Sequence, residues 1–278
     1  MHEQRLPPGL YVVATPIGNL GDLSPRAADT LRRADVVLAE DKRVTAKLLA
    51  HAGSTARMAN YHDHTSEAER DRIVERLGEE AVALVSDAGT PLISDPGYKL
   101  VRAARAAGHS IHTLPGPSAA IAALTLAGLP TDRFLFAGFL PAKAKARSNA
   151  IAELAVVRAT LVFYESGARL ADALAALGDG LGPREAAVVR EISKLHEECV
   201  TGSLAELSDR YADAPPKGEI VIVVGPPADA LQASDEQLDA ALDEALGRLS
   251  PSRAAAEVAQ RLGVQRKRAY ARALELSR

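Results

Sequence analysis

Two polar loops rich in glycine and proline constrain the fold of this chain more than any other feature. Residues 86–97 read Ser-Asp-Ala-Gly-Thr-Pro-Leu-Ile-Ser-Asp-Pro-Gly, and residues 114–119 read Leu-Pro-Gly-Pro-Ser-Ala. Each loop follows a short apolar run and leads into a helical pattern. In α/β proteins, ligands bind at the carboxyl ends of strands, where glycine lets the backbone approach a ligand and polar side chains orient it. The two loops therefore predict one small-molecule pocket built by successive βα units.

Strand and helix patterns alternate through the first part of the chain. Ser24 and Asp95, each followed by proline, are predicted helix N-caps, and Ser66 with Glu69 has the capping-box pattern. A further helix is predicted over Ala119–Ala127. Alternation of this kind favours a parallel sheet covered by helices on both faces. The predicted strands are Leu10–Ala14, Val36–Ala39, Ala81–Val85 and Ser110–Leu114.

A second α/β pattern follows a Gly-Leu-Pro-Thr-Asp seam at residues 128–132. Helical patterns at residues 144–157 and 169–177 separate its predicted strands. We therefore expect two adjacent α/β domains, residues 1–130 and 131–226, with a ligand cleft between them. The predicted strands of the second domain are Phe134–Phe139, Thr160–Tyr164, Ala187–Arg190 and Glu219–Val224.

The C-terminal region, residues 234–278, has a different character. Ser234–Leu249 is predicted to be an acidic amphipathic helix, and two short helices around Gly263 resemble a helix-turn-helix. From residue 252 onward, seven Lys or Arg face only two carboxylates, so this tail carries about +5 although the whole chain carries −3. Such charge on one small segment favours nucleic-acid contact, and a solvated capping hairpin is the alternative. The candidate contacts are Arg253, Arg266, Lys267 and Arg268.

Several classes of protein are excluded or disfavoured by what the sequence lacks. A single cysteine, Cys199, excludes an internal disulfide framework and a cysteine zinc cluster. His62 and His64 lack further ligands at a recognisable spacing, so no metal site is predicted. There is no dinucleotide-binding or Walker glycine pattern and no nucleophile elbow. Without a signal peptide or an apolar run long enough for a membrane, we expect a cytoplasmic protein that contacts no membrane.

Charged residues recur where the predicted strands end. Four consecutive charged residues, 40–43, follow the second strand. Further charged groups lie at residues 164–169, 190–198 and 217–219. Any one of these could be a salt-bridged surface turn, but their repeated placement favours a shared cleft. Arg43 is a candidate phosphate contact, because a guanidinium can bind phosphate through two hydrogen bonds, and His62 lies on a candidate substrate-facing loop.

Together, these motifs resemble the tetrapyrrole methylase superfamily, and within it the group that methylates a cytidine ribose 2′-oxygen in 16S ribosomal RNA. The resemblance spans Leu10 to about Val224, and the basic tail resembles that group's small helical C-terminal domain. The chain departs from the family at Lys42, where threonine is usual, and at Gly167-Ala168, where Pro-His is usual. The matching segments are Ala14–Asp22, Ala39–Arg43, Ser86–Pro91, Ser94–Gly97, Pro115–Ala119, Phe163–Ser166 and Lys217–Glu219.

The resemblance implies that S-adenosyl-L-methionine binds, folded, in the cleft between the two domains. It also implies a homodimer, a substrate in the small ribosomal subunit, and a product methylated at one cytidine of the decoding centre. The positions that would contact the methyl donor are Pro16, Asp87, Ala88, Gly89, Asp95, Pro117, Ser118, Ala119, Tyr164, Lys217, Gly218 and Glu219.

The chemistry of this reaction sets requirements for the site. A sulfonium already activates the methyl group, so no metal is needed and catalysis is largely positioning. A base must accept the hydroxyl proton, and the sequence does not choose among Glu40, Asp41, Glu165 and Glu191. RNA phosphates would be held by the basic tail and by Arg43, Arg169, Arg190 and Lys194.

Two alternatives to RNA methylation stay open from the sequence. A tetrapyrrole C-methyltransferase, of the precorrin or uroporphyrinogen type, would use the same donor loops, but a flat macrocycle has no need of a basic helical tail. A non-catalytic protein that binds RNA and senses a ligand would keep both the pocket and the tail.

Overall fold

The computed structural model describes residues 5–227, 235–262, 264 and 266–277. For Gln260 it describes only the backbone. These residues form two five-stranded sheets with covering helices and a group of three C-terminal helices. The predicted class, two α/β domains followed by a small helical region, is therefore confirmed. Ser234, Gly263 and Arg278, which belong to the predicted tail, lie outside the described residues.

The first sheet is parallel throughout, as predicted. Its strand order is β3-β2-β4-β1-β5, so the loops that follow the adjacent strands β4, β1 and β5 meet at one edge. Apolar clusters lie on both faces, one around Val13 and Val37 and the other around Leu10 and Leu38. The strands are β1 (Gly9–Val13), β2 (Val36–Ala39), β3 (Arg57–Asn60), β4 (Ala81–Leu84) and β5 (Ile111–Leu114), and the covering helices are α1 (Pro25–Arg33), α2 (Lys42–Ala52), α3 (Glu67–Arg76) and α4 (Tyr98–Ala106).

The second sheet is mixed, with order β6-β7-β10-β8-β9, and of its neighbouring pairs only β6 and β7 run parallel. Helix α5 (Ala119–Ala127) packs on one face through Ala123 and Leu124, against Val162 and Val221. Three other helices cover the opposite face. The elements are β6 (Phe134–Phe139), α6 (Ala144–Leu154), β7 (Thr160–Ser166), α7 (Leu170–Leu181), β8 (Glu185–Arg190), β9 (Glu198–Ser203), α8 (Leu204–Ala212) and β10 (Glu219–Val224).

Helix α5 therefore links the two sheets. It begins directly after β5 of the first sheet, yet its buried side chains belong to the core of the second sheet. The domain limits near residues 130 and 226 stay predictions.

The C-terminal helices α9 (Asp235–Leu246), α10 (Pro251–Leu262) and α11 (Arg266–Leu276) form a small apolar core of their own, with Leu242 and Val258 fully buried. Acidic residues of α9 pair with basic residues of the other two helices. Arg268 lies 2.7 Å from Asp235, Arg272 lies 2.6 Å from Asp239, and Arg261 lies 3.1 Å from Glu244.

These ion pairs change the expectation of a strongly basic tail. Residues 235–277 contain seven acidic and seven basic side chains, so the three-helix unit as a whole is close to neutral. The excess of positive charge counted from residue 252 onward is largely balanced by α9. Three predicted RNA contacts make no ion pair within the described part of the chain, namely Arg253, Arg266 and Lys267, and all three are exposed.

Two of the predicted helix starts are confirmed, and one is wrong. The Ser24 and Ser66 hydroxyls accept the amides of Ala27 and Glu69, at 3.1 and 3.3 Å. Asp95 does not cap a helix, because α4 begins at Tyr98 after Gly97, whose φ is +137°. A chain in that left-handed region cannot continue a helix from Asp95-Pro96, so the carboxylate is left available to the cleft between the two sheets.

Some elements next to charged residues were not predicted from the sequence. The charged run after β2 is not a loop throughout, because Asp41 is the N-cap of α2 and residues from Lys42 onward are helical. Strands β3 and β9 and helix α8 were not predicted. β3 contains half-exposed or exposed residues throughout, so it lacks the apolar run that marks the buried strands.

None of the described helices has the length and apolar character needed to cross a bilayer. Within the same residues, no three His, Cys, Asp or Glu side chains are grouped so that they could hold a metal ion.

Candidate active site

A cleft of about 310 Å³ lies where the loop edge of the first sheet faces one end of the second sheet. The first sheet contributes loops after β1, β4 and β5. The second contributes the end of β7, the start of β10 and the loop after β8. The lining residues are Ile17, Ala88, Gly89, Thr90, Ile93, Ser94, Asp95, Ser118, Ala119, Phe139, Tyr164, Glu165, Ser166, Ile192, Gly218, Glu219, Ile220 and Val221.

Hydrogen bonds between loops hold the first-sheet side of the cleft in place. Thr15 and Gly89 exchange two backbone hydrogen bonds, at 2.8 and 3.1 Å, which join the loops after β1 and β4. The Thr90 hydroxyl donates to the carbonyl of Pro117 at 3.1 Å, which joins the loops after β4 and β5. The protein's own hydrogen bonds thus cross-link all three loops.

Tyr164 anchors the second-sheet side. Its hydroxyl accepts the amide of Ala120 at 3.3 Å, at the first turn of α5. Its ring lies edge-on to Phe136 and Phe139, with centroids 4.8 and 5.6 Å away. Burial raises the pKa of this phenol, so Tyr164 stays a neutral hydroxyl in the neutral pH range.

Asp95 is the carboxylate in the cleft whose proton affinity is most altered. Partial burial raises its pKa to about 6, and the nearby carboxylates of Glu40, Asp87 and Asp63 add to the effect. The Ser86 hydroxyl acts in the opposite direction by hydrogen bonding to Asp95. Burial and Asp87 also raise the pKa of Glu40. The loop edge of the first sheet thus holds carboxylates that accept protons more readily than usual.

Asp41, a predicted catalytic candidate, is committed to local structure. It accepts the amide of Arg43 at 2.8 Å and pairs with the Arg43 guanidinium at 2.7 Å, and these contacts lower its pKa to about 2. Its own amide donates to the Asp87 carboxylate at 3.0 Å. So low a pKa makes Asp41 a poor proton acceptor.

Glu191 and Lys194 form a charged bridge beside the cleft. Lys194 Nζ lies 3.1 Å from Glu191 and 3.0 Å from Glu219, and the ion pair lowers the pKa of Glu191. The Lys194 side chain also lies directly over Gly18, and the Ser193 hydroxyl hydrogen-bonds to Asp22. The loop after β8 therefore closes onto the loop after β1 and joins the two halves of the cleft on this side.

Glu165 and Arg169 form a second, more buried pair. The Glu165 side chain is 1% exposed, and its Oε2 lies 3.3 Å from the Arg169 guanidinium. Arg169 also donates to the carbonyl of Leu140 at 2.6 Å. Breaking such a buried pair leaves an uncompensated charge, which is strongly destabilising.

The predicted donor contacts fall into two groups. Four of them, Pro16, Asp87, Pro117 and Lys217, lie beside the cleft but not in its lining. Asp87 acts instead through the amide of Asp41. The residues that do line the cleft are Ala88, Gly89, Asp95, Ser118, Ala119, Tyr164, Gly218 and Glu219.

The predicted bases and phosphate contacts are more dispersed. Glu165 lines the cleft, whereas Glu40, Asp41 and Glu191 do not. Arg190 pairs with Glu198 at 2.5 Å. Arg43 is 91% exposed although it is paired with Asp41, and His62 is exposed.

The apolar part of the lining was not among the predicted site residues. Ile17, Ile93 and Ile192 lie in loops, and Phe139 ends β6. Ile17, Ile93 and Ile192 did carry a signal, because each sits inside a loop segment that was already a candidate site. Nothing in the local sequence marks Phe139, which reaches the cleft through the packing of the second domain.

Gly167 lies where the structure leaves no space for a side chain. A Cβ on this residue would overlap the carbonyl oxygen of Pro216, so the backbone admits no larger residue without moving. The segment that leads to Lys217 and Gly218 therefore packs directly on the start of the turn after β7.

Comparison with known proteins defines the class of this site. The family described as Tetrapyrrole (Corrin/Porphyrin) Methylases matches residues 9–208, and the RsmI C-terminal HTH domain matches residues 232–277. Diphthine synthase superimposes with a TM-score of 0.62 at 17% identity, covering 78% of this chain and 89% of that one. Uroporphyrin-III C-methyltransferase from Thermus thermophilus, complexed with S-adenyl homocysteine, gives a TM-score of 0.53 at 22% identity, covering 78% of this chain and 97% of that one. These two structures show the shared fold.

The chain belongs to the tetrapyrrole methylase family, since that family's pattern covers most of its length. A relative from Erythrobacter litoralis (strain HTCC2594) is called Ribosomal RNA small subunit methyltransferase I. The two sequences are 56% identical over 98% of this chain and 97% of the relative. The resemblance inferred from the loop sequences is thereby confirmed.

Replacing Asp95 with asparagine should stabilise the protein at neutral and alkaline pH. Because the pKa of Asp95 is raised in the folded state, its ionised carboxylate lowers the free energy of unfolding. This loss is complete above about pH 6 and absent below the ordinary pKa value of 3.8. After allowance for partial exposure, we expect Asp95→Asn to gain about 1 kcal/mol at pH 8 and less at pH 5. Urea unfolding at both pH values measures this gain, and an equal change at the two pH values would contradict it. Asp209→Asn, on the far helix α8, is the control.

Proposed function

We propose that this protein transfers a methyl group from S-adenosyl-L-methionine to small-subunit ribosomal RNA. The observation that carries the proposal is 56% identity, over nearly full length, to a protein called Ribosomal RNA small subunit methyltransferase I. The match of residues 232–277 to a helix-turn-helix domain adds a module of the kind that contacts nucleic acid.

The cleft has the features that such a donor requires. Its volume of about 310 Å³ lies in the range of small-molecule sites, and its lining is mainly apolar with a few polar groups. Ile17, Ile93 and Ile220 offer apolar surface, while Asp95 and Ser118 offer hydrogen-bonding groups. The remaining donor contacts are those that the family resemblance implies, among them Tyr164 and the backbone of Gly89 and Gly218.

When bound, S-adenosyl-L-methionine supplies a methyl group already activated by its sulfonium, and the protein then has to position and deprotonate the acceptor. Of the four predicted bases, Asp41 and Glu191 are held ionised by Arg43 and Lys194 and bind protons poorly. Glu165 lies in the lining, but its carboxylate faces Arg169. Glu40 has a raised pKa but lies outside the lining. We therefore add Asp95, which lines the cleft and whose pKa of about 6 suits proton transfer at neutral pH.

The finer identity of the product is also a proposal. We propose that the acceptor is the ribose 2′-oxygen of one cytidine in the decoding centre of 16S ribosomal RNA, as the family resemblance implies. A 2′-hydroxyl distinguishes RNA from DNA, so DNA of the same sequence should not react. Because this substrate belongs to the ribosome, we propose that the protein acts in the cytoplasm.

We further propose a homodimer as the working form. The resemblance implies one, and large apolar side chains are exposed on the described surface, among them Tyr98 and Leu195. Light scattering of the purified protein measures the mass directly.

A methyl-transfer assay tests the proposed function. Labelled S-adenosyl-L-methionine is incubated with the protein and with small ribosomal subunits that lack the modification, and the RNA is digested for mass analysis. We expect labelled 2′-O-methylcytidine from one site. Label in another nucleotide, or on a base, would overturn the finer proposal. No transfer to RNA, despite donor binding, together with a co-purifying macrocycle that absorbs in the Soret band, would favour a tetrapyrrole substrate.

Replacing Ser118 with tyrosine should block donor binding, because Ser118 lines the cleft at the start of α5 and a phenol would fill the space. We expect at least a tenfold loss of affinity in calorimetry with S-adenosyl-L-methionine. Thr125→Tyr, on the exposed side of the same helix, should bind the donor normally. Unchanged affinity in Ser118→Tyr would remove this loop from the donor site.

Neutralising the basic residues of the tail that make no ion pair within the described part of the chain should weaken RNA binding. The triple variant Arg253→Gln, Arg266→Gln, Lys267→Gln should bind ribosomal RNA more weakly. The slope of log K against log salt concentration should become shallower by roughly 0.7–0.9 for each phosphate that the tail no longer neutralises. The affinity for the methyl donor should be unchanged. The matched control removes a paired couple, Glu244→Gln with Arg261→Gln, and leaves the net charge unchanged. A salt slope equal to wild type in the triple variant would reduce the tail to a structural cap.

A further inference from the structure

A second cleft, of about 570 Å³, lies at the opposite end of the second sheet from the donor site. Thr160, which begins β7, borders it, whereas Glu165 and Ser166, at the other end of β7, border the first cleft. The length of that strand separates the two by roughly 20 Å. The second cleft is therefore a separate feature of the molecule.

Arg184 supplies a buried positive charge to this second cleft. The residue is 4% exposed, and its guanidinium donates to two backbone carbonyls, those of Ala155 at 3.1 Å and Gly225 at 3.5 Å. Its Nε has no hydrogen-bond partner, and no carboxylate of the described residues lies within ion-pair distance. Burial of the uncompensated charge lowers the pKa of Arg184. A buried cation of this kind is costly unless an anion neutralises it.

Two further arginines line the same cleft. Arg133 and Arg158 are both exposed, and neither forms an ion pair within the part of the chain that the structure describes. The cleft also contains two exposed carboxylates, Asp132 and Glu185, and these are not paired with the arginines. Because solvent screens exposed charges more than buried ones, the charge of Arg184 dominates the interior of the cleft.

We propose that this second cleft binds a phosphate group of the RNA substrate, with Arg184 inside it and Arg133 and Arg158 at its mouth. The assignment of RNA as the source rests on the proposed function, whereas the preference for a phosphate rests on the three guanidinium groups. Planar guanidinium groups match phosphate oxygens with paired hydrogen bonds, and such contacts fix the position of a nucleic acid without reading its sequence.

Such a contact would extend the RNA path over the second domain. One end of that domain holds the donor site, and the cleft at the other end is bordered by residues 225–227, from which the chain leads towards the C-terminal helices. A phosphate held there would orient the RNA while a distant nucleotide occupies the donor cleft.

Substitutions of the two exposed arginines test the proposal without disturbing the core. Arg133→Gln, Arg158→Gln and the double variant are compared with wild type for ribosomal RNA binding across a salt series. We expect the double variant to bind at least fivefold more weakly at low salt, with a salt slope reduced by about 1. Glu185→Gln, which removes a competing negative charge, should bind more tightly. Arg102→Gln, at an exposed arginine of α4 with no ion pair among the described residues, should behave as wild type.

Two further measurements check the fold and separate the possible sources of the phosphate. Calorimetry with S-adenosyl-L-methionine should give unchanged affinity in every variant, which shows that the fold and the donor site are intact. Inorganic phosphate should raise the melting temperature of wild type, and it should raise that of the double variant clearly less, since only Arg184 is left there to bind the anion.

The outcomes distinguish a phosphate of RNA from a free phosphate, and they separate failure of this proposal from failure of the proposed function. Loss of phosphate stabilisation with unchanged RNA binding would assign the cleft to a free phosphate and overturn the RNA contact. No effect of the double variant on either measurement would overturn the site altogether. Wild-type protein that binds phosphate through these arginines but neither binds nor methylates ribosomal RNA would refute the proposed function and leave the anion site standing.

Discussion

The packing of helix α5 against the second sheet is the constraint on which the rest of the structure depends. The helix leaves the first sheet directly after β5, and it buries Ala123 and Leu124 against strands of the second sheet. Burial of apolar surface favours this arrangement by roughly 25 cal/mol per Å². It forces the loop before α5 to lie at the junction of the domains, where Ser118 faces the cleft and Tyr164 accepts the first-turn amide of Ala120. The cleft is thus a consequence of how two cores are joined.

Electrostatics divides the carboxylates in and beside the cleft into two kinds. Asp41, Glu191 and Glu165 are held by Arg43, Lys194 and Arg169, and they contribute to the architecture around the cleft. Among the described residues, Asp95 and Glu40 have no such ion-pair partner. Burial raises the pKa of both, and a nearby carboxylate, Glu40 for Asp95 and Asp87 for Glu40, adds to the effect. A group that costs stability in the folded state is typical of a site kept for function, because selection for stability alone would remove it.

The charge distribution of the folded chain differs from that along the sequence. Acidic residues of α9 neutralise much of the basic tail. Among the residues that the structure describes there, the exposed basic side chains without an ion pair are few and include Arg253 and Lys267. Conversely, Arg133, Arg158 and Arg184, which belong to no motif in the sequence, meet at one cleft. The proposed RNA contacts are therefore distributed over the second domain and the tail.

Local sequence determined much of the architecture. The caps at Ser24 and Ser66, the buried strand Glu219–Val224 and the glycine-rich loops at strand ends depend on neighbouring residues alone, and these predictions agree with the structure. Only the tertiary structure decided that β8, β9 and β10 pair antiparallel, that Asp95 faces the cleft and does not cap a helix, and that Lys194 bridges Glu191 and Glu219. The physical reason is range: capping and periodicity act within a turn or a strand, whereas strand pairing, burial of charge and choice of ion-pair partner depend on residues distant in the chain.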